Sequence, residues 1–153
     1  MDSKILISIV DKKMKEHEFK KKNNGWYKTF DNVVVLLYLQ RSSYSALYYP
    51  CMSALNRKIN PDELYPKEHH CHLRTRVPPV TSVDENCKDI FNLESNLSDA
   101  ERERRLNNLL ENYCIPRLHL MGSYEGIETL YAEDPDIGIA SPRSLFFKDV
   151  FTE

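Results

Sequence analysis

An unbroken apolar run from Val33 to Gln40, with the sequence VVVLLYLQ, constrains the fold of this chain more than any other segment. Its β-branched start is typical of a strand, and apolar side chains fall on both of its alternating faces. A strand of that kind needs cover on both sides, so we expect it at the centre of a sheet. The rest of the chain must supply the neighbouring strands and the layers that cover them.

Shorter strand-like segments lie on either side of this run. They are Trp26 to Phe30, Tyr44 to Leu55 and His69 to Val77, with Asp31-Asn32 as a two-residue turn after the first and Asn56 to Lys67 as a loop before the last. Links of this length favour an antiparallel meander over parallel crossovers. Pro50 has no N–H to donate, so we expect it at a bulge or on an edge strand.

Helical patterns frame the strands. The predicted helices are Ser3 to Phe19, Asp99 to about Cys114, Ser123 to Glu133 and Ser141 to about Phe151. Apolar residues at helical spacing predict the first, a capping box that begins at Ser98 predicts the second, and a Ser-Pro start predicts the last. Pro116 ends or kinks the second helix. Lys20 to Gly25 is predicted to be a basic loop, and Asp134 to Ala140 another loop.

The length of 153 residues suits one domain, and neither a repeat nor a low-complexity segment divides it. We therefore expect residues 1–153 to form a single α+β domain. In it, a four-stranded, mainly antiparallel sheet is packed by the N-terminal helix and by the C-terminal helices.

Composition narrows the possible partners and compartments. Lys and Arg number 21 against 23 Asp and Glu, a balance that argues against a dedicated nucleic-acid binder or a polybasic membrane binder. No apolar run approaches the roughly 18 residues of a membrane span, and the N-terminus does not resemble a signal peptide. We therefore expect a cytoplasmic protein with no membrane partner. The four cysteines lack C-x-x-C spacing and are expected to be free, mostly buried thiols.

Charge is distributed unevenly along the chain. The net charge is +4 over residues 1–30, +2 over residues 31–83 and −8 over residues 84–153. One interpretation is that these are solvated faces of helical elements that attract one another. The other is that an acidic surface in the last third, carrying Glu125, Glu128 and Asp136, contacts a basic partner.

Several short motifs occur in a characteristic order. After the first helix they are Glu18-Phe19-Lys20-Lys21-Lys22, Trp26-Tyr27-Lys28, Leu39-Gln40-Arg41-Ser42, Tyr48-Tyr49, Cys71-His72-Leu73-Arg74-Thr75-Arg76-Val77 and Ile115-Pro116. This ordered set, spanning roughly Ile5 to Tyr131, resembles the bacterial domain-of-unknown-function family 4304. The resemblance implies a small α+β domain and supplies no catalytic residues. By analogy with other small bacterial domains, it implies an immunity-type protein that neutralises a toxin.

Catalytic signatures are weak. With only four glycines and no phosphate-binding loop, the chain is predicted to bind no cofactor and to have no catalytic residue. On a strand, His70, His72, Arg74 and Arg76 share one face, so His70 and His72 are weak candidates for metal ligands. Cys71 and His69 share the other face and are the pair that a thiol enzyme would use. The alternative hypothesis is therefore a metal- or anion-binding module, or an enzyme, centred on His70, His72 and Arg74.

The leading hypothesis is a non-enzymatic protein-binding domain. Arginine and tyrosine are favoured at protein interfaces, and the same strands carry both. The predicted contact residues of the sheet are Tyr38, Arg41, Tyr44, Tyr48, Arg74 and Arg76. A nucleic-acid version, in which Lys20, Lys21 and Lys22 join the arginines, is disfavoured by the overall charge.

Overall fold

The computed structural model describes residues 1–134, 136–137 and 141–147. Its helices are α1 (Ser3–Glu16), α2 (Cys87–Phe91), α3 (Asp99–Leu109), α4 (Ile115–Leu120), α5 (Tyr124–Glu133) and α6 (Arg143–Phe146). Its strands are β1 (Lys20–Lys22), β2 (Gly25–Phe30), β3 (Val33–Arg41), β4 (Tyr48–Asn56) and β5 (Leu73–Arg76). The predicted α+β class is confirmed.

The sheet is an antiparallel meander of five strands in the order β1-β2-β3-β4-β5, so the prediction of four strands is wrong. The additional strand is β1, which lies in the segment predicted to be a basic loop. Lys22 pairs with Gly25 across a tight turn in which Asn23 adopts a φ of 57°. Three consecutive lysines carry no apolar alternation, and the pattern that identifies strands is therefore missing from β1.

Strand β3 is the central strand, as its sequence predicts. Val33, Val35, Leu37 and Leu39 face α1, α3 and α4 in the main core, and we call this side of the sheet the inner face. Leu36 faces the opposite side, the outer face, where it packs with Leu55 and Cys71. The predicted burial of this strand on both sides is confirmed.

Pro50 lies inside β4, where the pairing with β3 continues without a bulge, so the predicted bulge or edge position is wrong. Its partner on β3 is Leu39, whose N–H donates to the Asn24 carbonyl on the other side of β3. The main chain of Pro50 therefore points towards β5, and its carbonyl accepts from the Val77 N–H at 3.0 Å. The missing N–H of Pro50 therefore falls at the end of the ladder between β4 and β5, where only the bond donated by Val77 is made.

Two strands begin later in the structure than in the prediction. Strand β4 begins at Tyr48 rather than Tyr44, because residues 43–46 form a bend. Strand β5 begins at Leu73 rather than His69, since Glu68–His70 forms a single 3₁₀ turn. As a result, Cys71 joins the outer-face cluster whereas Leu73 packs in the main core. The predicted alternation of side chains therefore fails before Leu73.

The predicted helix that begins at Asp99 is confirmed, and the Ser98 hydroxyl caps it by accepting from the Glu101 N–H at 3.2 Å. The helix continues beyond Cys114 through a π turn, in which the Ile115 N–H donates to the Leu110 carbonyl, and then through α4. Pro116 lies in the first turn of α4, so the helix continues past it, and of the two predicted outcomes the end is wrong.

The remaining helices follow the prediction with shorter bounds. Helix α1 ends at Glu16 rather than Phe19, and Ser123 caps α5 by accepting from the Gly126 N–H. Helix α6 is a single turn, and the rest of the helix predicted to Phe151 lies outside the described residues, as does part of the loop predicted from Asp134 to Ala140. No helix in the described part of the chain is long and apolar enough to cross a membrane.

Candidate functional site

A cleft of about 640 Å³ runs along the edge strand β5, between outer-face side chains of the sheet and the segment that follows α5, and we call it the outer cleft. One side is formed by the strand side chains Gln40, Cys51, Arg74 and Arg76, together with Glu68 of the 3₁₀ turn. The other side includes Asp136 and Ile137, which follow α5. The cleft thus places cationic side chains opposite acidic ones.

Arg74 is held firmly within this cleft. Its Nε and Nη2 atoms donate to the two carboxylate oxygens of Glu68 at 2.9 and 2.8 Å. These hydrogen bonds raise the pKa of the Arg74 guanidinium. Its main chain is also fixed, since the Arg74 N–H donates to Ser141 Oγ and the hydroxyl of Ser141 donates back to the Arg74 carbonyl. Arg74 is therefore neutralised and positioned by the protein itself.

Arg76 lies two residues further along β5 and has different interaction partners. It donates to Gln40 Oε1 at 3.1 Å, and its guanidinium lies 4.7 Å from the centre of the Tyr49 ring. Within the part of the chain that the structure describes, no carboxylate lies within ion-pair distance of Arg76. A guanidinium stacked on an aromatic ring and oriented by an amide is pre-organised to bind a carboxylate.

A second, smaller cleft adjoins the first, and we call it the apolar cleft. Its volume is about 300 Å³, and it lies between the ends of β4 and β5, the Pro78-Pro79 segment and α2. Arg76 and Pro78 line both clefts, whereas Lys88 of α2 lines only the apolar cleft. Arg76 therefore stands where a polar surface meets an apolar one.

The predicted sheet contacts do not form one surface. Tyr38, Arg74 and Arg76 do lie on the outer face, but Arg41 and Tyr48 pair with each other on the inner face. Tyr48 is also only 4% exposed and packs in the main core, so its assignment to an exposed surface is corrected. Tyr44 is 98% exposed in the bend before β4, outside any strand.

The predicted acidic contacts are likewise divided. Asp136 lies at the outer cleft, opposite Arg74 and Arg76. Glu125 and Glu128 lie on α5, and neither lines that cleft. The structure therefore brings one of the three acidic residues to the cationic site.

The predicted histidine pair is not formed. His70 is exposed in the 3₁₀ turn, whereas His72 is buried, so the premise that both share one strand face is wrong. His72 Nδ1 accepts from the Asn56 N–H at 2.9 Å, and its Nε2 lies 3.0 Å from Asn60 Oδ1. Because both ring nitrogens hold protein groups, His72 braces the loop after β4 and offers no lone pair to a metal.

The described thiols are governed by burial. Burial raises the pKa of the Cys71 thiol to about 12, and that of Cys114 also to about 12. Burial also raises the pKa of Cys51, which lines the outer cleft. All four cysteines are buried and free, as predicted. Among the described residues, no group of three or more His, Cys, Asp or Glu side chains could hold a metal ion.

Sequence reasoning missed three members of the site. Gln40 orients Arg76, Glu68 neutralises Arg74, and Lys88 adds a second cation to the apolar cleft. Alternation along β3 could have placed Gln40 beside Tyr38 on the outer face. Nothing in the local sequence signals the other two, because their approach to β5 depends on the path of the connecting segments.

The fold and the site define an α+β protein with a five-stranded antiparallel meander and a cationic cleft along its last strand. The chain belongs to the family described as Domain of unknown function (DUF4304), which matches residues 10–120. The resemblance inferred from the motifs is confirmed, and α5 and α6 lie beyond the matched residues. No curated protein and no solved structure matches the chain.

Proposed function

We propose that this chain is a non-enzymatic protein-binding domain whose contact surface is centred on Arg76 in the outer cleft. The observation that carries the proposal is that Arg76 is exposed and stacked on Tyr49, with an amide rather than a carboxylate as its hydrogen-bond partner. Arginine and tyrosine presented in this way are the side chains that most often anchor protein interfaces. The buried, high-pKa thiols support a binding role over thiol catalysis.

The narrower form of the proposal is an immunity-type protein that occludes a toxin. Its support is the analogy between this family and other small bacterial domains, together with the cleft of about 640 Å³ beside Arg76. The alternative centred on His70, His72 and Arg74 has less support. Both ring nitrogens of His72 have protein partners, and the Arg74 guanidinium is already paired with the Glu68 carboxylate.

Native mass spectrometry on untagged protein, purified gently from its own host, tests the proposal. We expect a second polypeptide at fixed stoichiometry, and its identity decides whether the partner is a toxin. Arg76→Glu should abolish the complex because it places a negative charge where a partner carboxylate binds. Arg41→Glu is the matched control, since Arg41 is also exposed on the sheet but lies on the inner face.

Two results would contradict the proposal. The first is a bare chain from every preparation, including gently purified wild type. The second is a complex that survives Arg76→Glu but is lost with Glu125→Lys or Asp136→Lys, which would move the contact to the acidic C-terminal surface. In that case charge reversal of the acidic residues would also slow association at low salt.

A further inference from the structure

The apolar cleft beside Arg76 is a rigidly built feature. The Val77 N–H donates to the Pro50 carbonyl, and the Cys87 N–H donates to the Pro79 carbonyl at 2.9 Å. These two bonds tie the end of β5 and the start of α2 to fixed positions on either side of the cleft. The cleft is therefore held open by main-chain hydrogen bonds rather than by the chance position of side chains.

Helix α2 forms the far wall of this cleft, although it is only five residues long. The buried guanidinium of Arg102 holds its C-terminal end by donating to the carbonyls of Asp89, Ile90 and Asn92. Phe91 lines the cleft from this helix, and Val77 lines it from the position directly after β5. The resulting surface can accept one apolar side chain, since about 300 Å³ is at the lower end of ligand-pocket volumes.

The charge around the apolar cleft has one sign. Arg76 and Lys88 are both exposed at its rim, and no acidic residue is among the described residues that line it. Neither cation forms an ion pair with a described residue. An apolar group that enters the cleft therefore meets two unpaired positive charges, and this favours a ligand with a carboxylate near its apolar part.

From this arrangement we propose that the apolar cleft recognises an acidic peptide segment of the protein partner, with a large apolar side chain in the cleft and flanking carboxylates on Arg76 and Lys88. The inference deepens the proposed function and rests on it for the existence of a partner. Because the two clefts share Arg76, the same segment can continue into the outer cleft along β5. Burial of the apolar side chain supplies affinity, and the carboxylates supply selectivity.

Titration of ¹⁵N-labelled full-length protein with short peptides tests this inference. The probe is the acetylated peptide Gly-Asp-Asp-Phe-Asp-Asp-Gly, and its controls replace either the four aspartates by lysine or the central phenylalanine by alanine. We expect the aspartate peptide to shift the amide signals of Val77, Lys88 and Phe91. Each control peptide should bind at least about tenfold more weakly, since it lacks one of the two recognised features.

Matched variants locate the binding. Lys88→Glu should weaken the aspartate peptide by about tenfold, whereas Arg41→Glu on the inner face should leave its affinity unchanged. Lys88 is exposed and forms no ion pair with a described residue, so its replacement should preserve the fold, and the dispersion of the amide spectrum checks this. Equal binding of the lysine and aspartate peptides, or no binding of any peptide, would overturn the inference.

The outcome is separable from that of the proposed function. If Lys88→Glu leaves the native complex intact while Arg76→Glu abolishes it, the outer cleft is the contact and the apolar cleft is not. If the aspartate peptide binds as expected but no second polypeptide is found, the apolar cleft is a binding site and the proposed function is wrong.

Discussion

The guanidinium of Arg102 donates a 2.7 Å hydrogen bond from Nη1 to the main-chain carbonyl of Asp89, not to the Asp89 carboxylate. The same nitrogen reaches the carbonyls of Ile90 and Asn92, and Nη2 donates to Ser95 Oγ. Arg102 is 0% exposed, so a buried cation here satisfies the free carbonyls at the end of α2. Burial lowers the pKa of the guanidinium, but an arginine remains charged in proteins.

We predict that Arg102→Met lowers the free energy of unfolding by about 3 kcal/mol, because three buried or partly buried carbonyls lose their donor. Urea denaturation followed by far-UV circular dichroism measures the loss. The control is Arg104→Met, which removes only an exposed ion pair with Glu101 and should leave the free energy of unfolding nearly unchanged. Similar costs for the two variants would show that Arg102 does not hold α2.

Two buried serines should respond to alanine in opposite ways. Ser141→Ala removes a hydroxyl that both accepts from the Arg74 N–H and donates to the Arg74 carbonyl, so we expect a loss of about 1–2 kcal/mol of unfolding free energy. The Ser53 hydroxyl is buried with no hydrogen-bond partner among the described residues, so Ser53→Ala should be neutral or stabilising by up to about 1 kcal/mol. Thermal and urea unfolding of the two variants measures the change in the free energy of unfolding for each. A destabilised Ser53→Ala would contradict the absence of a hydrogen-bond partner for this hydroxyl among the described residues.

Glycine at position 18 should stabilise the protein. Glu18 has a φ of 68° and follows the end of α1, where its N–H donates to the Lys15 carbonyl and the Phe19 N–H donates to the Met14 carbonyl. This is a Schellman motif, in which glycine avoids the strain of the left-handed conformation. Glu18→Gly should therefore raise the free energy of unfolding by about 1 kcal/mol.

The control for that substitution is a glycine placed inside the same helix. Lys12 is exposed in α1, and Lys12→Gly should lower the free energy of unfolding by about 1 kcal/mol because glycine is a poor helix former. Both changes are measured by urea unfolding. A destabilising Glu18→Gly would show that the carboxylate makes a contact which outweighs the backbone strain.

Gly126 should tolerate no side chain. A Cβ atom at this position would stand 1.8 Å from the Leu120 carbonyl oxygen, so α4 and α5 pack closely only because residue 126 lacks one. Gly126→Ala should lower the free energy of unfolding by about 3 kcal/mol, since backbone must move to make room. Glu125→Ala, an exposed neighbour on α5, should change it by less than about 0.5 kcal/mol. Unchanged stability of Gly126→Ala would mean that α5 shifts freely.

Stability should fall in acid partly through one ion pair. Hydrogen bonds from Arg105 at 2.8 and 2.9 Å hold the pKa of Asp84 below its usual value of 3.8. Because the pKa is lower in the folded state, the carboxylate stabilises the protein above about pH 4, and this contribution disappears as the pH falls through the folded-state pKa. Urea unfolding between pH 7 and pH 2.5 should therefore show a gap between wild type and Asp84→Asn that closes in acid. A gap independent of pH would exclude this cause.

Much of the fold follows from patterns in the sequence, and the failures have local physical causes. The apolar run of β3 fixes the centre of the sheet because its two buried faces demand two covering layers. Strand β1 is not predicted because its three lysines are all exposed and show no apolar alternation. They form a strand only because they pair with β2. The position of Pro50 within the sheet was predicted wrongly because it depends on where β5 ends, and that is determined by the tertiary structure.

The candidate site was only partly predictable. Arg74 and Arg76 are two residues apart on one strand, and alternation alone places them on a common face. Their different states could not be foreseen, since Glu68 reaches Arg74 from a 3₁₀ turn and Gln40 reaches Arg76 across two strand spacings. The misplaced start of β5 also explains why His70 and His72 were paired in the prediction but not in the structure.

The π turn before Pro116 has a consequence for the phase of the long helix. Ile115 comes five positions after Leu110, and in an uninterrupted α-helix the two side chains would face directions about 140° apart. The widened turn accommodates the extra residue, and both side chains enter the main core. Deleting one residue from this turn would leave a spacing of four positions, which an ordinary α-turn brings to nearly the same face, so α4 would still face the sheet. The π turn thereby lets the helix carry one additional residue without turning the apolar face of α4 away from the core.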